Sequence, residues 1–188
     1  MNFWKTSIVG ACIFFLILIT SIRVSPALAN YVSSLPGMER IVELVRFNKG
    51  ILSAVENDYM QEIGVTTEFN GVKLTVDAII VDNMQTLVFY TIESERDLEN
   101  VIISEVELFK YNGNRISSYG VSAQAHEKIT KEDKISGKLT LVYQEKMIIP
   151  ETFILKLDLE EEDRKLLDEV EFPITVDFKK FDALKKEK

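Results

Sequence analysis

The stretch that decides the fold is Val72-Lys73-Leu74-Thr75-Val76-Asp77-Ala78-Ile79-Ile80, in which apolar side chains alternate with polar ones as far as Ala78. Residues two apart lie on the same face of a β-strand, so one row faces a core and the other faces water. The turn signal Asp82-Asn83 then leads into residues 87–92, which are apolar on both faces. Such a run is typical of a strand inside a sheet. The two segments predict a β-hairpin whose second strand is central. The residues of the first strand that are predicted to face a core are Val72, Leu74, Val76, Ala78 and Ile80.

The same two-residue period continues along the chain. Asn112-Gly113-Asn114 is a second turn signal, and it predicts a hairpin whose returning strand covers residues 116–124. Pro173 removes a backbone donor from the last strand, which predicts an edge position or a strand start. The apolar rows of the remaining strands are Val106 and Leu108; Leu139, Leu141 and Tyr143; Phe153, Leu155, Leu157 and Leu159; and Phe172, Ile174, Val176 and Phe178.

About seven strands, with a short extra one at residues 65–69, follow one another without helical crossovers. Strands in this order are typical of two antiparallel sheets packed face to face. The sequence therefore predicts a mainly β fold, an antiparallel β-sandwich with immunoglobulin-like topology, over residues 63–178. The Cys-Trp-Cys signature of immunoglobulin domains does not support that topology, because Trp4 is the only tryptophan and it precedes the strands.

The charge balance makes this domain acidic. The chain has 188 residues, with 22 lysines and arginines against 30 aspartates and glutamates, for a formal charge of -8. Residues 1–29 contain two basic and no acidic residues, so the rest of the chain carries a net charge of -10. Such a surface repels phosphate backbones, which argues against nucleic acid as a partner. The only cysteine, Cys12, lies outside the strands, so no disulfide framework, thiol nucleophile or cysteine zinc site is expected there.

An apolar segment precedes the strands. Lys5 and Arg23 enclose 17 uncharged residues, which as a helix would be about 25 Å long, slightly under a hydrocarbon core of about 30 Å. The two flanking cations can reach the headgroups and cover the difference. Residues 1–29 are therefore predicted to form a single span, with the lipid bilayer as a partner. The C-terminal domain would then lie outside the cytoplasm.

A cleaved signal peptide is the competing interpretation of residues 1–29. Ala27-Leu28-Ala29 forms an A-x-A cleavage site before Asn30. Against it, the apolar run is longer than the usual 7 to 15 or so residues, and Arg23 lies where a signal peptide is normally uncharged. Both interpretations place the domain outside the cytoplasm. The second predicts a secreted structural or adhesive β-sandwich domain, released after Ala29.

Residues 30–62 are predicted to be helical and to pack on the strands. Met38, Ile41, Val42 and Val45 follow the spacing of one helix face, and a second short helical segment begins at Ile51. At the other end, residues 179–188 form a basic tail, for which a frayed, solvated terminus is expected. Its lysines are Lys179, Lys180, Lys185, Lys186 and Lys188.

The strands contain few candidates for chemistry, and no nucleotide-binding glycine motif, zinc-protease motif or nucleophile elbow occurs. His126, the only histidine, is expected to be a surface or turn residue at the end of a strand, because catalysis requires partners in a defined geometry. Glu105 and Glu107 share a strand face, a spacing compatible with acid and base roles. Outward glutamates on an amphipathic strand serve solubility by default, however.

The run Glu160-Glu161-Glu162-Asp163 offers clustered oxygens that could bind calcium. The favoured interpretation is a solvated turn leading into a short helix, whose positive end stabilises carboxylates. We therefore predict that the chain is not an enzyme. No catalytic, cofactor-binding or metal-ligating residue is assigned, and no cofactor is expected.

Several short segments carry a family resemblance. They are Val24-Ser25-Pro26-Ala27, Leu35-Pro36-Gly37-Met38-Glu39, Ile41-Val42-Glu43-Leu44, Lys49-Gly50-Ile51 and Asn70-Gly71-Val72-Lys73-Leu74-Thr75-Val76. With these segments, the sequence over residues 21–110 resembles a bacterial extracytoplasmic domain of unknown function found in single-pass membrane proteins that are similar to anti-sigma factors. The resemblance implies an anchored topology with the domain outside, and it supplies no catalytic residues.

Anti-sigma proteins of this kind carry a cytoplasmic sigma-binding segment before the span. Here residues 1–5 precede the apolar segment, so a sigma factor is not expected as a partner of the chain as given. The predicted function is a membrane-anchored extracytoplasmic binding or sensor module of the cell envelope. It would engage an envelope protein or ligand on the β-sandwich, through an exposed strand edge.

Overall fold

Two antiparallel sheets make up the part of the chain that the computed structural model describes, namely residues 51, 54, 59–144, 149–162 and 164–178. The prediction of a mainly β, two-sheet architecture is thereby confirmed. The strands in these residues are β1 Gln61–Phe69, β2 Val72–Val81, β3 Gln85–Ser94, β4 Leu98–Lys110, β5 Arg115–Ile116, β6 Tyr119–Ala123, β7 His126–Ile129, β8 Lys134–Tyr143, β9 Thr152–Glu161 and β10 Arg164–Thr175.

The strand order separates the two sheets clearly. The first sheet has the order β1-β2-β3-β8-β6, and the second has the order β10-β9-β4-β5, with β7 also paired to β4. β3 is central, as its two apolar faces predicted. β10, which contains Pro173, lies at an edge, also as predicted. Between the sheets the apolar rows meet in one core, which includes Leu74, Leu155 and Phe172, each without exposed surface.

A bulge in β2 changes which residues of the deciding stretch face that core. The pairing with β3 shifts between Val76 and Ala78. One extra residue on a strand moves every later side chain to the opposite face. Val72, Leu74 and Val76 face the core as predicted, but Ile79 and Val81 follow them there instead of Ala78 and Ile80. Ala78 and Ile80 are buried as predicted, at 0% and 7% exposed, but they lie on the other face of the sheet, because the bulge arises from pairing with β3.

The strand predicted over residues 116–124 is divided into two. β5 pairs with β4 in the second sheet, whereas β6 pairs with β8 in the first. Ser118, between them, has a φ of 73°, a left-handed conformation that an extended strand does not contain. The chain therefore crosses from one sheet to the other at this point.

β1 covers nine residues, more than the short strand predicted at residues 65–69. The pairing of β1 with β2 shifts between Glu62 and Val65, and Gly64 within the shift has a φ of 65°. Glycine adopts this conformation without steric cost, so it suits the bulge.

The predicted segments at both ends of the chain fall largely outside the described residues. These are the apolar segment at residues 1–29, residues 30–50 of the helical segment and the basic tail at residues 179–188. Ile51 and Ala54 have helical backbone conformations, in keeping with the second short helix. Within the described part of the chain, no helix is long and apolar enough to cross a membrane.

Candidate functional site

Most strand edges of the sandwich carry devices that prevent further pairing. β1 contains a bulge and the exposed Glu62 and Glu68, and β10 contains Pro173 and two register shifts. β5 and β7 are only two and four residues long. Bulges, charges, proline and short length all discourage the addition of a strand from another chain.

β6 is the exception among the described edges. Tyr119–Ala123 contains neither proline nor a charged residue, its pairing with β8 shows no register shift, and its last four residues are exposed. The Tyr143 N–H donates to the Met84 carbonyl at 2.8 Å, away from β6. Tyr119 lies opposite Tyr143, so the backbone groups of Tyr119, and by alternation those of Val121 and Ala123, face the open side. β6 therefore presents a row of unpaired backbone groups, which we call the open edge.

Tyr119 holds the open edge in place. Its hydroxyl accepts a hydrogen bond from the Leu108 N–H at 3.1 Å and donates one to the Val106 carbonyl at 3.2 Å. Leu108 pairs with Ile116 of β5, and Val106 lies between that pairing and the part of β4 that pairs with β7. Burial raises the pKa of Tyr119, so the phenol stays protonated and can donate. The Tyr119 side chain thus satisfies two backbone groups of β4 in the second sheet and ties β6 of the first sheet to them.

An exposed valine lies beside the open edge on the outer face of the sheet. Gly120 lies opposite Val142 of β8, and Val142 is 47% exposed there, whereas Val121 lies opposite the core residue Leu141 on the other face. Because Gly120 has no side chain, an added strand could place a large side chain over it and contact Val142. An aromatic ring covers a glycine in this way elsewhere in the same sheet, where Tyr90 lies over Gly137.

His126 is buried, so the expectation of a surface or turn histidine was wrong. It opens β7 and pairs with Val101, which turns its side chain inward. Its Nε2 lies 3.1 Å from the Tyr90 hydroxyl, which in turn donates to the Gln124 carbonyl at 3.2 Å. Tyr90 belongs to the first sheet and His126 to the second, so this contact joins the sheets. Burial lowers the pKa of His126 and raises that of Tyr90, so both side chains are neutral near pH 7.

Protonation of His126 is expected to destabilise the fold. Its pKa lies below the unfolded value of 6.5, so its contribution is complete above pH 6.5 and is lost as the pH falls from there through the folded pKa. Between pH 7.5 and pH 5.5, the wild type should lose up to about 1 kcal/mol more than the His126→Gln variant. Urea unfolding of both proteins at the two pH values measures this difference. An equal loss in both proteins would contradict the assignment.

Glu160, Glu161 and Glu162 of the acidic run lie at a β-hairpin, and the chain continues from Arg164 as a strand, so the predicted short helix was wrong. Glu161 ends β9 and Arg164 begins β10. Both oxygens of Glu161 are engaged by Arg96, at 3.2 Å and 2.8 Å, and its carboxylate also accepts bonds from the Glu99 N–H and from Arg164. The guanidinium of Arg96, above all, lowers the pKa of Glu161 to about 2. These ion pairs, together with burial of Leu166 and Leu167, favour strand pairing over a helix.

The other predicted acids do not assemble into a site. Glu107 forms an ion pair with Arg115 at 2.8 Å, whereas Glu105 is exposed. No group of three histidine, cysteine, aspartate or glutamate side chains among the described residues could hold a metal ion. The oxygens of Glu161 face guanidinium groups, an arrangement that does not favour the calcium interpretation of the acidic run.

Two pockets lie around the turn between β1 and β2. The larger, about 250 Å³, is lined by side chains of both signs, including Lys73, Glu93 and Lys134. The smaller, about 220 Å³, is lined by Arg96, Arg164 and Lys165. The cations of the smaller pocket are already paired with Glu161 or Asp158, so that pocket offers little unpaired positive charge to a ligand.

Asp77 is a half-buried acid that the alternating pattern placed in water. It lies at the β2 bulge and accepts a hydrogen bond from the Thr91 hydroxyl at 2.8 Å. The same hydroxyl lies 3.2 Å from that of Ser136 on β8. Burial raises the pKa of Asp77 to about 6, although the Thr91 bond opposes the change. The sequence shows only that an acid occupies this position. The irregular strand pairing that draws Asp77 out of water is a property of the structure.

The Asp77→Asn substitution is expected to stabilise the protein at neutral pH. Because the folded pKa of about 6 exceeds the unfolded value of 3.8, the contribution of Asp77 is complete below pH 3.8 and is lost as the pH rises through 6. The variant should gain about 1–2 kcal/mol at pH 7.5, and the gain should shrink toward pH 4. Urea unfolding across this range tests it, with the exposed Glu105→Gln as the control. A gain that does not change with pH would contradict the prediction.

The fold and its edges define a class: an antiparallel two-sheet β domain whose described strands leave one edge, that of β6, unprotected. The chain belongs to a family described as a domain of unknown function, DUF4179, which matches residues 1–94. No curated protein matches the chain.

Among solved structures, the chain is similar to the conserved domain protein from Bacillus anthracis, with 22% sequence identity and a TM-score of 0.46. The likeness covers 64% of this chain and 42% of that one. The chain thus spans less than half of the length of that protein.

Proposed function

We propose that the chain is a membrane-anchored extracytoplasmic binding or sensor module, related to anti-sigma-factor-like proteins and without catalytic activity. The observation that carries the proposal is the open edge at β6. Unpaired backbone groups on an unprotected strand are a template for pairing with an extended segment of a partner. The partner would be an envelope protein or ligand, and the acidic charge of the domain argues against nucleic acid.

The strand order supports an immunoglobulin-like topology. When β2, β3, β8 and β6 are named A, B, E and D, the first sheet has the order A-B-E-D. The second sheet then has the order G-F-C, followed by a short additional strand, in β10, β9, β4 and β5. These are the orders of immunoglobulin sandwiches, with β1 added beside A. The fold by itself does not imply a function, so the binding role depends on the edge.

The apolar segment at residues 1–29 supports the anchored topology. It belongs to the part of the chain that the family matches, residues 1–94, together with β1, β2 and β3. The span would place the protein in the cell membrane as a single-pass protein, with the C-terminal domain on the extracytoplasmic side. The bilayer is then its first partner.

Protease treatment of intact cells followed by fractionation tests the location. We expect the chain in the membrane fraction and the domain accessible to external protease, with a cytoplasmic protein as the protected control. A soluble, protected chain would overturn the proposal. Mass spectrometry separates the alternative, a secreted structural or adhesive domain: a mature terminus at Asn30 favours release after Ala29, and an intact Lys5 excludes it.

Val121→Lys is expected to abolish strand addition at the open edge while leaving the fold intact. The side chain of Val121 is 46% exposed, so lysine should change the free energy of unfolding by less than about 0.5 kcal/mol. Its charge and length would nevertheless block an incoming strand, as edge lysines do. NMR titration of the full chain in detergent with a short peptide of alternating threonine and valine measures the effect.

In the wild type the peptide should shift and protect the amides of Val121 and Ala123, and in the variant it should not. Glu62→Lys, on the bulged edge of β1, is the matched control and should leave the titration unchanged. Shifts that occur away from β6, or that persist in Val121→Lys, would contradict the assignment of the edge.

A further inference from the structure

The outer face of the first sheet carries an apolar patch. Ala78 pairs with Phe89, and Ile80 pairs with Leu87, so the four side chains form a block on two neighbouring strands. Their neighbours in sequence, such as Ile79 and Val88, belong to the core between the sheets, so the block points the other way. Its members are nevertheless buried, with 0% of Ala78 and Phe89 and 6–7% of Leu87 and Ile80 exposed. We call this block the outer patch.

The chain itself must cover the outer patch, because the burial occurs within a single copy. Ile51 and Met60 are the described residues that match this role, since they are 4% and 1% exposed and also lie outside the core between the sheets. In the antiparallel pairing of β1 with β2, Glu62 lies opposite Ala78 and Gln61 lies opposite Ile79. One residue further along the same register, Met60 lies opposite Ile80. Met60 therefore reaches the edge of the outer patch directly from β1.

A backbone hydrogen bond links the residue before Met60 to a helical position earlier in the chain. Ile51 and Ala54 are helical, and the Tyr59 N–H donates to the Ala54 carbonyl at 2.8 Å. A helical turn that ends beside β1 can bring Ile51 back over β2 and β3, the strands that carry the patch. Phe89 lies on β3, which is separated from β1 by β2, and it has no exposed surface. A segment that covers it must therefore extend from β1 across β2.

We propose that the stretch carrying Ile51 and Met60 docks on the outer patch and joins the N-terminal part of the chain to the first sheet. The occupant is this chain's own segment, and the contact is apolar. The joint lies on β2 and β3, and the open edge lies two strands away on β6 of the same sheet. The sensor role of the joint rests on the proposed function, since an added strand at β6 would extend the sheet on which the segment is docked.

Thiol labelling tests the docking. In the full chain in detergent, Ile51→Cys is combined with Cys12→Ser so that a single thiol remains, and its maleimide reaction rate is measured under native conditions. The rate should be at least tenfold below that of Met84→Cys, at an exposed residue of the β2–β3 turn. Leu87→Glu and Phe89→Ala should each accelerate labelling at position 51 by about tenfold, which corresponds to about 1.4 kcal/mol of lost docking.

Val88→Ala is the matched control, because it removes apolar contacts from the same strand on its core face. It should lower the unfolding midpoint without accelerating native-state labelling. Hydrogen exchange of the Tyr59 amide gives a second measurement without a cysteine, and it should accelerate in Leu87→Glu but not in Val88→Ala. Fast labelling of Ile51→Cys in the parent, or equal rates with and without Leu87→Glu, would overturn the docking.

The outcome separates the two proposals. Loss of docking with intact peptide binding at β6 would remove the joint and leave the binding module. Intact docking without peptide binding at β6 would leave the joint as a structural contact and remove its sensor role.

Discussion

Gly137→Ala is expected to lower the free energy of unfolding by about 2–4 kcal/mol. A Cβ at Gly137 would lie 2.3 Å from Cζ and Oη of Tyr90, far inside van der Waals contact. Tyr90 is buried and its hydroxyl contacts His126 and the Gln124 carbonyl, so its ring cannot move aside without losing these partners. Overpacking costs about 1–3 kcal/mol, and a lost hydrogen bond costs about 1 more. Urea unfolding measures the loss.

The same sheet provides a matched control for this prediction. Gly120→Ala adds the same atom where its nearest neighbour would be the Val142 carbonyl oxygen at 4.0 Å, so it should change the free energy of unfolding by less than about 0.5 kcal/mol. Adding Tyr90→Leu to Gly137→Ala should remove the clash, and the double variant should be more stable than the sum of the single changes predicts. Additive losses would show that the Tyr90 ring is not the obstacle.

Asp158→Ala is expected to destabilise the protein by about 2–3 kcal/mol. Asp158 is 2% exposed and holds the irregular part of β10 against β9. Its Oδ1 accepts a hydrogen bond from the Glu169 N–H at 2.6 Å, and its Oδ2 pairs with Lys165 Nζ at 2.7 Å. Alanine leaves the Glu169 N–H without this acceptor, while the half-exposed Lys165 can turn to water. The expected cost is therefore that of lost charge-assisted hydrogen bonds and not that of a fully buried, unpaired charge.

Asp168 is the control for Asp158, because it contacts the same lysine at 2.5 Å with a side chain that is 63% exposed. Asp168→Ala should change the free energy of unfolding by less than about 0.5 kcal/mol, as for other exposed ion pairs. Hydrogen exchange of the Glu169 amide should accelerate in Asp158→Ala and not in Asp168→Ala. Equal effects of the two substitutions would show that the surface ion pair, and not the buried carboxylate, stabilises this turn.

The β2–β3 hairpin shows how far the sequence reached. The hairpin and the central position of β3 could be predicted from the alternation in β2, the turn at Asp82-Asn83 and the two apolar faces of β3. These features depend only on neighbours in the chain. The bulge after Val76 was not predictable, since it is a property of the pairing between the strands. Its consequences, the burial of Asp77 and the outward position of Ile80, were therefore not predictable either.

His126 and Glu161 show the same limit for polar groups. Each looked exposed in its local sequence, and each is buried by residues distant in the chain, His126 by Tyr90 and Glu161 by Arg96. The open edge at β6 was expected only as an unspecified edge. Its position depends on the division of the predicted strand over residues 116–124 into β5 and β6, because β6 then lies at the edge of the first sheet.

The sequence by itself determined that this protein is mainly β, that its body is acidic and, apart from β2 beyond its bulge, which apolar rows form the core, because side-chain period and charge are local properties. Only the tertiary structure decided which edge is open, which acids and histidine are buried, and where the outer patch lies. These features depend on strand order and on register, and a shift of one residue in register reverses the face of every side chain that follows.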